Sequence, residues 1–545
     1  MWETTQLGQK LNNKKNIFIS PVNLTANGPA HLGHVGGPFL RMDVLSRHLK
    51  RLGHCVQTAL TTDQVENHIE VQAVKHNVHR SDFARENDNH IRKGLEALSI
   101  SYDFFPNTGE PDVVTLFEKV ATRLIDSLEQ NKGYDICNET LPVDDAVPYG
   151  AVEDQFCVGG WFGASCPICN SDAGSYFCEG CGAHFQPSDA VSPYSRRGKI
   201  IGWEASRSAY LTEGFDNKLS SLWDAMRILP EFRKIAERYI TKNGATMRLT
   251  VPSSYGIEWP NDHFLNRQAL FSYSSLLYAH SLLGGSMAQK KSNGISPFSK
   301  ASNVILLSAT AIDNVVPMMV GLSGSALAQN KYRPFDRIYF NKFLNLEGLK
   351  FSTSRNHVIW ALDIEKQEKV NMDFLRAYLC KICPEIQESD FKVKDFVGFH
   401  NIMLEKLTLC YEISAALLTT GVHDLDESWL NILERLYLQQ SQCFDSVDLC
   451  IADSVLPIET WVELGKSIQT PMQAATWLMG FSFISSPVLP KIASDISEWL
   501  GFDSGISPDE VGVPICIRNK PIPALKGRKL DITSIECLIP SRTGQ

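Results

Sequence analysis

The chain has 545 residues, with 52 Lys and Arg against 61 Asp and Glu, a net charge of −9. That length exceeds one compact domain and predicts three or four units. Hydrophobic residues at 43% and charged residues at 21% exclude a disordered, fibrous or collagen-like chain. No apolar run is long enough to span a bilayer, so no membrane partner is expected. The acidic balance argues against DNA or any broad nucleic-acid affinity, while leaving room for a local basic groove. Fourteen cysteines without a regular framework, and no apolar leader between Met1 and Lys15, predict a reducing, cytoplasmic setting.

The first ordered signal is Ile17-Phe18-Ile19-Ser20, a short apolar strand ending at Pro21. A loop rich in Asn, Gly and Pro follows. Leu40, Val44, Leu45 and Leu49 then form an apolar stripe that predicts a helix over 38–52, with Gly53 as its C-cap. A second run over 55–60 completes a β-α-β unit with parallel strands. Such units hold ligands at the carboxyl ends of their strands, beside helix N-termini, which places the loop 23–37 at a binding edge.

Residues 135–190, rich in Gly and Cys, read as an insertion. Helical patterning returns over 219–240, and 249–260 leads back to the core. The Gly/Ser/Lys/Asn-rich stretch 284–303 reads as a mobile loop. Two further buried strands are predicted at 304–307 and 338–340. Leu430, Ile432, Leu433, Leu436 and Leu438 mark a helical bundle over 401–500. The divisions are 1–134, 135–245, 246–345, 346–400, 401–500 and a tail, 501–545, expected to pack back onto the catalytic core.

Three clusters carry chemistry. His31-Leu32-Gly33-His34 lies just before the first helix, a pattern expected roughly 0.02 times by chance from composition. Two imidazoles flanking a glycine beside a helix N-terminus suit charge stabilisation on a transferring phosphate; two histidines capping a turn is the plainer alternative. Lys350-Phe351-Ser352-Thr353-Ser354-Arg355 has two cations and three hydroxyls after a strand and Gly348, which suits either a phosphate clamp or a solvated turn. Cys166, Cys169, Cys178 and Cys181 form two CxxC knuckles eight residues apart. Four thiolates on one tetrahedral ion predict structural zinc with no open catalytic position. Cys380 and Cys383, in a helical run with no partner pair, read as core.

These elements in this order resemble the class I aminoacyl-tRNA synthetases of the methionyl-tRNA synthetase family. Asn27 to His34 is similar to that family's first signature, Thr62-Asp63 to its amino-group site, the knuckles to its connective insertion, and Lys350 to Arg355 to its Lys-Met-Ser-Lys-Ser loop. Asp373 to Leu379 and Pro487 to Pro490 resemble later landmarks. The fold implied is α/β, a Rossmann-like parallel-sheet catalytic domain with a zinc-knuckle insertion and a C-terminal α-helical bundle. The activity implied is ATP-dependent, with Mg²⁺: an amino acid, methionine or a related apolar one, becomes an aminoacyl-adenylate, and the acyl group then passes to a tRNA.

By this resemblance His31, His34 and Lys350 are catalytic, and Asn27, Gly33, Ser352, Ser354 and Arg355 hold the nucleotide. Asp63, Thr25, Phe271 and Tyr278 contact the amino acid, although Asp63 also reads as the N-cap of a helix beginning near Asn67. Several positions depart from the family pattern. Thr353 replaces the second loop lysine; Thr25, Phe271 and Tyr273 replace pocket residues; and Ala309, Thr310 and Val315 replace a Lys-Asp pair and a histidine. The stretch 401–470 holds 3 Lys and Arg against 11 Asp and Glu, a poor surface for RNA phosphates. Leu409 and Ile413 stand near the family's anticodon-reading positions, and Trp461 is a candidate for stacking on a base. An alternative is therefore a paralog that adenylates an amino acid and delivers it to a non-tRNA acceptor; a non-catalytic binding module is a third reading.

Overall fold

Apolar strands without polar alternation are buried on both faces, and a parallel sheet with helices on each side is the arrangement that does this. A computed structural model describes residues 14–147, 152–174, 176–178, 180–352, 356–445, 447–502, 505–517 and 521–540. Strand β1 (Asn16–Ile19) leads through a connecting segment that ends in the helical turns Leu32–His34 and Val35–Phe39 into α1 (Leu40–Arg51), which returns to β2 (Cys55–Thr58). Gly53 takes φ +78 just beyond α1, the left-handed position at which glycine ends a helix without strain. Helices α2 (Asn67–His76), α3 (Arg80–Ala97) and α4 (Pro111–Gln130) follow.

The insertion opens with β3 (Tyr134–Asp144). It carries the small knuckle sheet of β4 (Phe162–Ser165), β5 (Asp172–Gly174) and β6 (Val191–Ser195), and closes with β7 (Ile200–Leu211), antiparallel to β3. The helix expected over 219–240 is two, α5 (Asp216–Met226) and α6 (Pro230–Asn243). Arg227 at φ +54 ends the first, and Pro230 starts the second, where its missing N–H costs nothing.

The loop expected over 284–303 is also corrected. Helix α7 (Ser275–Ser292) takes its first part, because Gly284 and Gly285 are buried contacts rather than a break, and only 293–303 is a connecting loop. A Cβ on Gly284 would meet Ala59 at 2.8 Å, so glycine there permits close helix–sheet approach. Strands β8 (Ile305–Ala311) and β9 (Arg337–Asn341) complete a parallel sheet of order β9-β8-β1-β2, with Ile17 opposite both Ile305 and Val56. Ile17, Ile19 and Leu307 join the core beneath α1, whereas Phe18, Leu306 and Phe340 join the core beneath α4 and α7.

After β9 come the hairpin β10 (Leu344–Leu346) and β11 (Leu349–Lys350), then α8 (Met372–Lys381). The helical region comprises α9 (Val393–Leu417), α10 (Glu427–Asp445), α11 (Val455–Leu464), α12 (Pro471–Ser485) and α13 (Pro490–Trp499). Of the expected leucine stripe only Leu433 is fully buried, and Leu438 faces solvent; Tyr437 and Gln440 complete the inward face of α10. Cys380 and Cys383 are buried in the core. The tail packs on the helical region and also on the segment before α8, where the Arg528 N–H donates to the Lys369 carbonyl at 2.8 Å and Asn371 Nδ2 to the Lys526 carbonyl at 2.9 Å. Ile515–Ile517 pairs with Gly421–His423, and Asn401 exchanges hydrogen bonds with the Leu530 backbone.

Two buried arginines bind the sheet domain to this helical region. Arg376 is fully buried and ion-paired with Asp43 of α1. It also donates to the carbonyls of Leu98 at 3.0 Å, Pro487 at 2.9 Å and Val488 at 3.1 Å. Arg41 similarly donates to the Phe340 carbonyl at 2.8 Å and the Leu449 carbonyl at 3.1 Å. Removing one partner of such a pair leaves buried groups unsatisfied, so Arg376→Ala should lower unfolding free energy by about 3–5 kcal/mol. Chemical denaturation of the variant measures this; a loss below about 1 kcal/mol would show that the arginine does not hold the two parts together.

Candidate active site

Strand order reverses about β1, whose chain departs to β2 on one side while β8 and β9 lie on the other. In such sheets the crevice beyond the carboxyl ends at that reversal receives ligands. The loop from β1 enters it. His31 precedes a single helical turn, Leu32–His34, and its Nδ1 accepts the His34 N–H at 3.2 Å. Both readings of the histidine pair therefore meet in one residue: His31 caps the turn through Nδ1, which leaves its proton on Nε2 as a donor. The two rings stack with centroids 3.7 Å apart. Burial, then His34 and Lys350, hold the His31 pKa well below the usual histidine range, so the ring is neutral at pH 7.

The second cluster comes to the same place from the other end of the sheet. Between β10 and β11, Glu347 and Gly348 both take positive φ, and the Gly348 N–H donates to Asp390 at 2.9 Å. Beyond β11, the Phe351 ring stacks on His31 with centroids 5.1 Å apart. It covers Gly33, where a Cβ would come within 2.8 Å of that ring and 3.0 Å of His31 Nδ1. Ser352 and His357 exchange backbone hydrogen bonds at 3.0 Å, and Leu32 N–H reaches the Ile359 carbonyl at 3.0 Å. Lys350 Nζ lies 3.9 Å from the centroid of Phe343. Asn27 is half-buried in the loop leading to His31. Thr353, Ser354 and Arg355 fall outside the described residues.

The residues expected to contact the amino acid lie partly on two short parallel segments, Leu24–Thr25 and Thr62–Asp63, which set Thr25 directly beside Asp63. Asp63 is 2% exposed and its Oδ1 accepts the Val65 N–H at 2.9 Å. It does not cap α2, whose N-cap is Glu66. Phe271 lines a small cavity with Glu66, Ser272, Tyr273 and Tyr255. Tyr278 does not join them: it is fully buried, its hydroxyl donates to the Arg333 carbonyl at 2.9 Å, and its ring meets Phe298. His280, two residues on and so on a different helix face, puts Nε2 3.7 Å from Asp63 Oδ2.

Sequence reasoning missed Glu66, His68 and His280. Thr25 Oγ1 donates to Glu66 Oε2 at 3.3 Å, and His68 Nε2 is 3.3 Å from Glu66 Oε1. Burial, then the Asp63 carboxylate, push the Glu66 pKa up to about 8. The signal was present as an acid and a histidine within five residues of Asp63, directly after a short apolar strand.

The four knuckle sulfurs lie within 4.8 Å of one another, with Cys166 and Cys181 3.8 Å apart and Cys169 and Cys178 3.5 Å apart. A tetrahedral ion with metal–sulfur bonds of about 2.3 Å requires separations of roughly 3.8 Å, so this all-thiol set fits a structural metal. Backbone N–H groups of Ile168 and Gly180 point at the Cys166 and Cys178 sulfurs, as knuckle turns do. The knuckle also backs the cavity lined by Phe271 and Tyr273. Tyr176 meets Phe271 edge-on at 5.3 Å, and Phe177 and His184 contact Tyr273 at 5.0 and 5.6 Å. Burial holds the His184 pKa down to about 4, and Nε2 bonds the Asp313 carbonyl at 3.1 Å.

A family model described as tRNA synthetases class I (M) matches residues 18–408. The methionine–tRNA ligase of Methanobrevibacter smithii is 28% identical over 402 residues, covering 71% of this chain and 56% of that protein. That of Thermococcus kodakarensis is 26% identical over 397 residues, covering 68% and 51%. The chain thus spans a little over half the length of these curated relatives. Mycobacterium tuberculosis methionyl-tRNA synthetase in complex with methionyl-adenylate superposes with a TM-score of 0.68 at 14% identity. That likeness of fold covers 94% of this chain and 99% of the other. With the family model spanning well over half its length, the chain belongs to the class I tRNA synthetases, methionyl group.

Proposed function

We propose that this chain is an ATP-dependent aminoacyl-tRNA ligase of the methionyl type, which forms an aminoacyl-adenylate and pyrophosphate and then transfers the acyl group to a tRNA. One observation carries the reading: the His31–His34 pair and the Lys350 hairpin are packed against each other at the carboxyl edge of the sheet. In the first step the amino-acid carboxylate attacks the α-phosphorus, the bond to the β-phosphate oxygen breaks, and pyrophosphate leaves. Negative charge grows on the phosphate oxygens, so the site needs preorganised donors. The buried His31 Nε2–H and the half-buried His34 ring supply them, and Lys350 neutralises the leaving pyrophosphate. Ser352, with Ser354 and Arg355, extends that grip. Gly33 and Asn27 accommodate the nucleotide, and Asp63 pairs with the α-ammonium while Thr25 and Phe271 flank the side chain. Mg²⁺ bound to the ATP phosphates would supply further positive charge to the leaving pyrophosphate.

Zinc would be held by Cys166, Cys169, Cys178 and Cys181 and would fix the knuckle against Phe271 and Tyr273 without touching substrate. Fourteen cysteines, none in a disulfide and four of them the knuckle set, support a reducing, cytoplasmic setting. No helix among the described residues is long and apolar enough to cross a membrane.

A second reading, delivery to a non-tRNA acceptor, has its own support. Besides the acidic stretch 401–470, Trp461 is fully buried and donates to the Trp477 carbonyl at 3.0 Å, so it offers no face to a base. Leu409 is exposed where an RNA-contacting side chain would be needed.

The chain should exchange labelled pyrophosphate into ATP only when an amino acid is present, and charging of total tRNA separates the two acceptors. His34→Ala should reduce exchange by ~10²–10³ or more, with zinc content unchanged; zinc loss would show that the residue belongs to the fold instead. Gly33→Ala should cost at least about a hundredfold in exchange while circular dichroism stays native, because the new methyl group displaces Phe351 from His31. Metal analysis should find one zinc per chain, and Cys169→Ser should lower that content; a metal-free native chain would remove the structural-zinc assignment.

A further inference from the structure

The amino-acid pocket contains a group for which a thioether side chain has no partner. Asp63 is placed for the α-ammonium, and Glu66, at 8% exposure, puts a second carboxyl group into the cavity lined by Phe271 and Tyr273, joined to Asp63 through Thr25, which lies beside Asp63 and donates to Glu66. Its contacts are the Thr25 hydroxyl at 3.3 Å, His68 Nε2 at 3.3 Å and a hydrogen bond with Ser272. The two measured contacts are long beside the 2.7–2.9 Å of a charge-assisted hydrogen bond. With its pKa raised to about 8, Glu66 is protonated in the cavity at neutral pH, and an incoming cation is what would stabilise its anionic form.

A separate observation marks the same spot as a ligand site. His280 is 2% exposed, and neither ring nitrogen has a hydrogen-bond partner among the described residues, although Nε2 faces Asp63 Oδ2 at 3.7 Å. Buried polar groups are ordinarily satisfied, and this one looks onto the carboxylate that binds substrate. Phe271 and Tyr273 supply flat apolar walls suited to methylene groups, and an aromatic face also attracts a cation.

We infer that the pocket selects an amino acid whose side chain is a short methylene chain ending in a cationic nitrogen, with Asp63 taking the α-ammonium, Glu66 the distal cation, and Phe271 and Tyr273 the methylenes between them. Two neighbouring buried carboxyl groups are balanced one for one by a diamino acid, whereas methionine supplies a single charge. Thr25 and His68 set the Glu66 carboxyl in place and are positioning residues. This inference rests on the adenylation reading and names its amino acid, whichever acceptor follows.

The test is pyrophosphate exchange by the full-length chain with methionine, norleucine, 2,4-diaminobutyrate, ornithine and lysine. A diamino acid should show the highest kcat/KM, at least about a hundredfold above methionine and norleucine, since a site built for a charged hydrogen-bonding group discriminates strongly against its absence. Glu66→Gln, which keeps the shape, should raise KM for the diamino acid by about a hundredfold with less effect on kcat, collapsing that ratio. Thermal stabilisation of the unmodified chain by each amino acid, which needs neither turnover nor a variant, should give the same ranking. Methionine as the best substrate, with the ratio unmoved by Glu66→Gln, would overturn the inference and leave adenylation standing. Absence of exchange with every amino acid would overturn the adenylation reading itself.

Discussion

The stacking of Phe351 on His31, over a glycine that has no side chain to keep them apart, joins the two halves of the site. One ring follows the first strand of the sheet and the other follows the last, so the entire insertion and its helices separate them along the chain. The parallel order β9-β8-β1-β2 makes them neighbours, because every strand delivers its following loop to the same edge. Loop-closure entropy grows slowly with length, so a long excursion between β1 and β8 is tolerated. The backbone bonds of Leu32 to Ile359 and of Ala361 to Ala30 then fix the approach.

Burial does much of the electrostatic work on both sides of that joint. It strips His31 of its positive charge and leaves a neutral imidazole whose Nε2–H still donates. At the other end burial, and then the Asp63 carboxylate, raise the Glu66 pKa to about 8. The knuckle takes part as well. Its rings pack on Phe271 and Tyr273, so the order of the knuckle bears on the shape of the cavity those two side chains line.

How much of this was legible depended on whether a feature is local. Strands such as Ile17–Ile19 declare themselves because burial on both faces demands an unbroken apolar run, and the four cysteines because one ion needs all of them. Helix α7 was hidden by Gly284 and Gly285, which read as a loop until the sheet surface they pack against is known. Tyr278 and His280 show a second limit. A residue's place in a motif does not give its direction, and on a helix two positions are enough to exchange a core residue for one facing Asp63. Glu66 lay in plain view, but its importance comes from depth and from its neighbour, neither of which a sequence states. The arginines that tie the sheet domain to the helical region donate mostly to backbone carbonyls, a pairing that leaves no trace in residue identity.

The central claim is that one nucleotide is held between the histidine turn and the lysine hairpin. Photolabelling with 8-azido-ATP followed by peptide mapping tests it directly. The account predicts label in peptides spanning both 23–37 and 346–360, suppressed by unlabelled ATP. Label confined to other segments, or label in these two that ATP does not suppress, would contradict it.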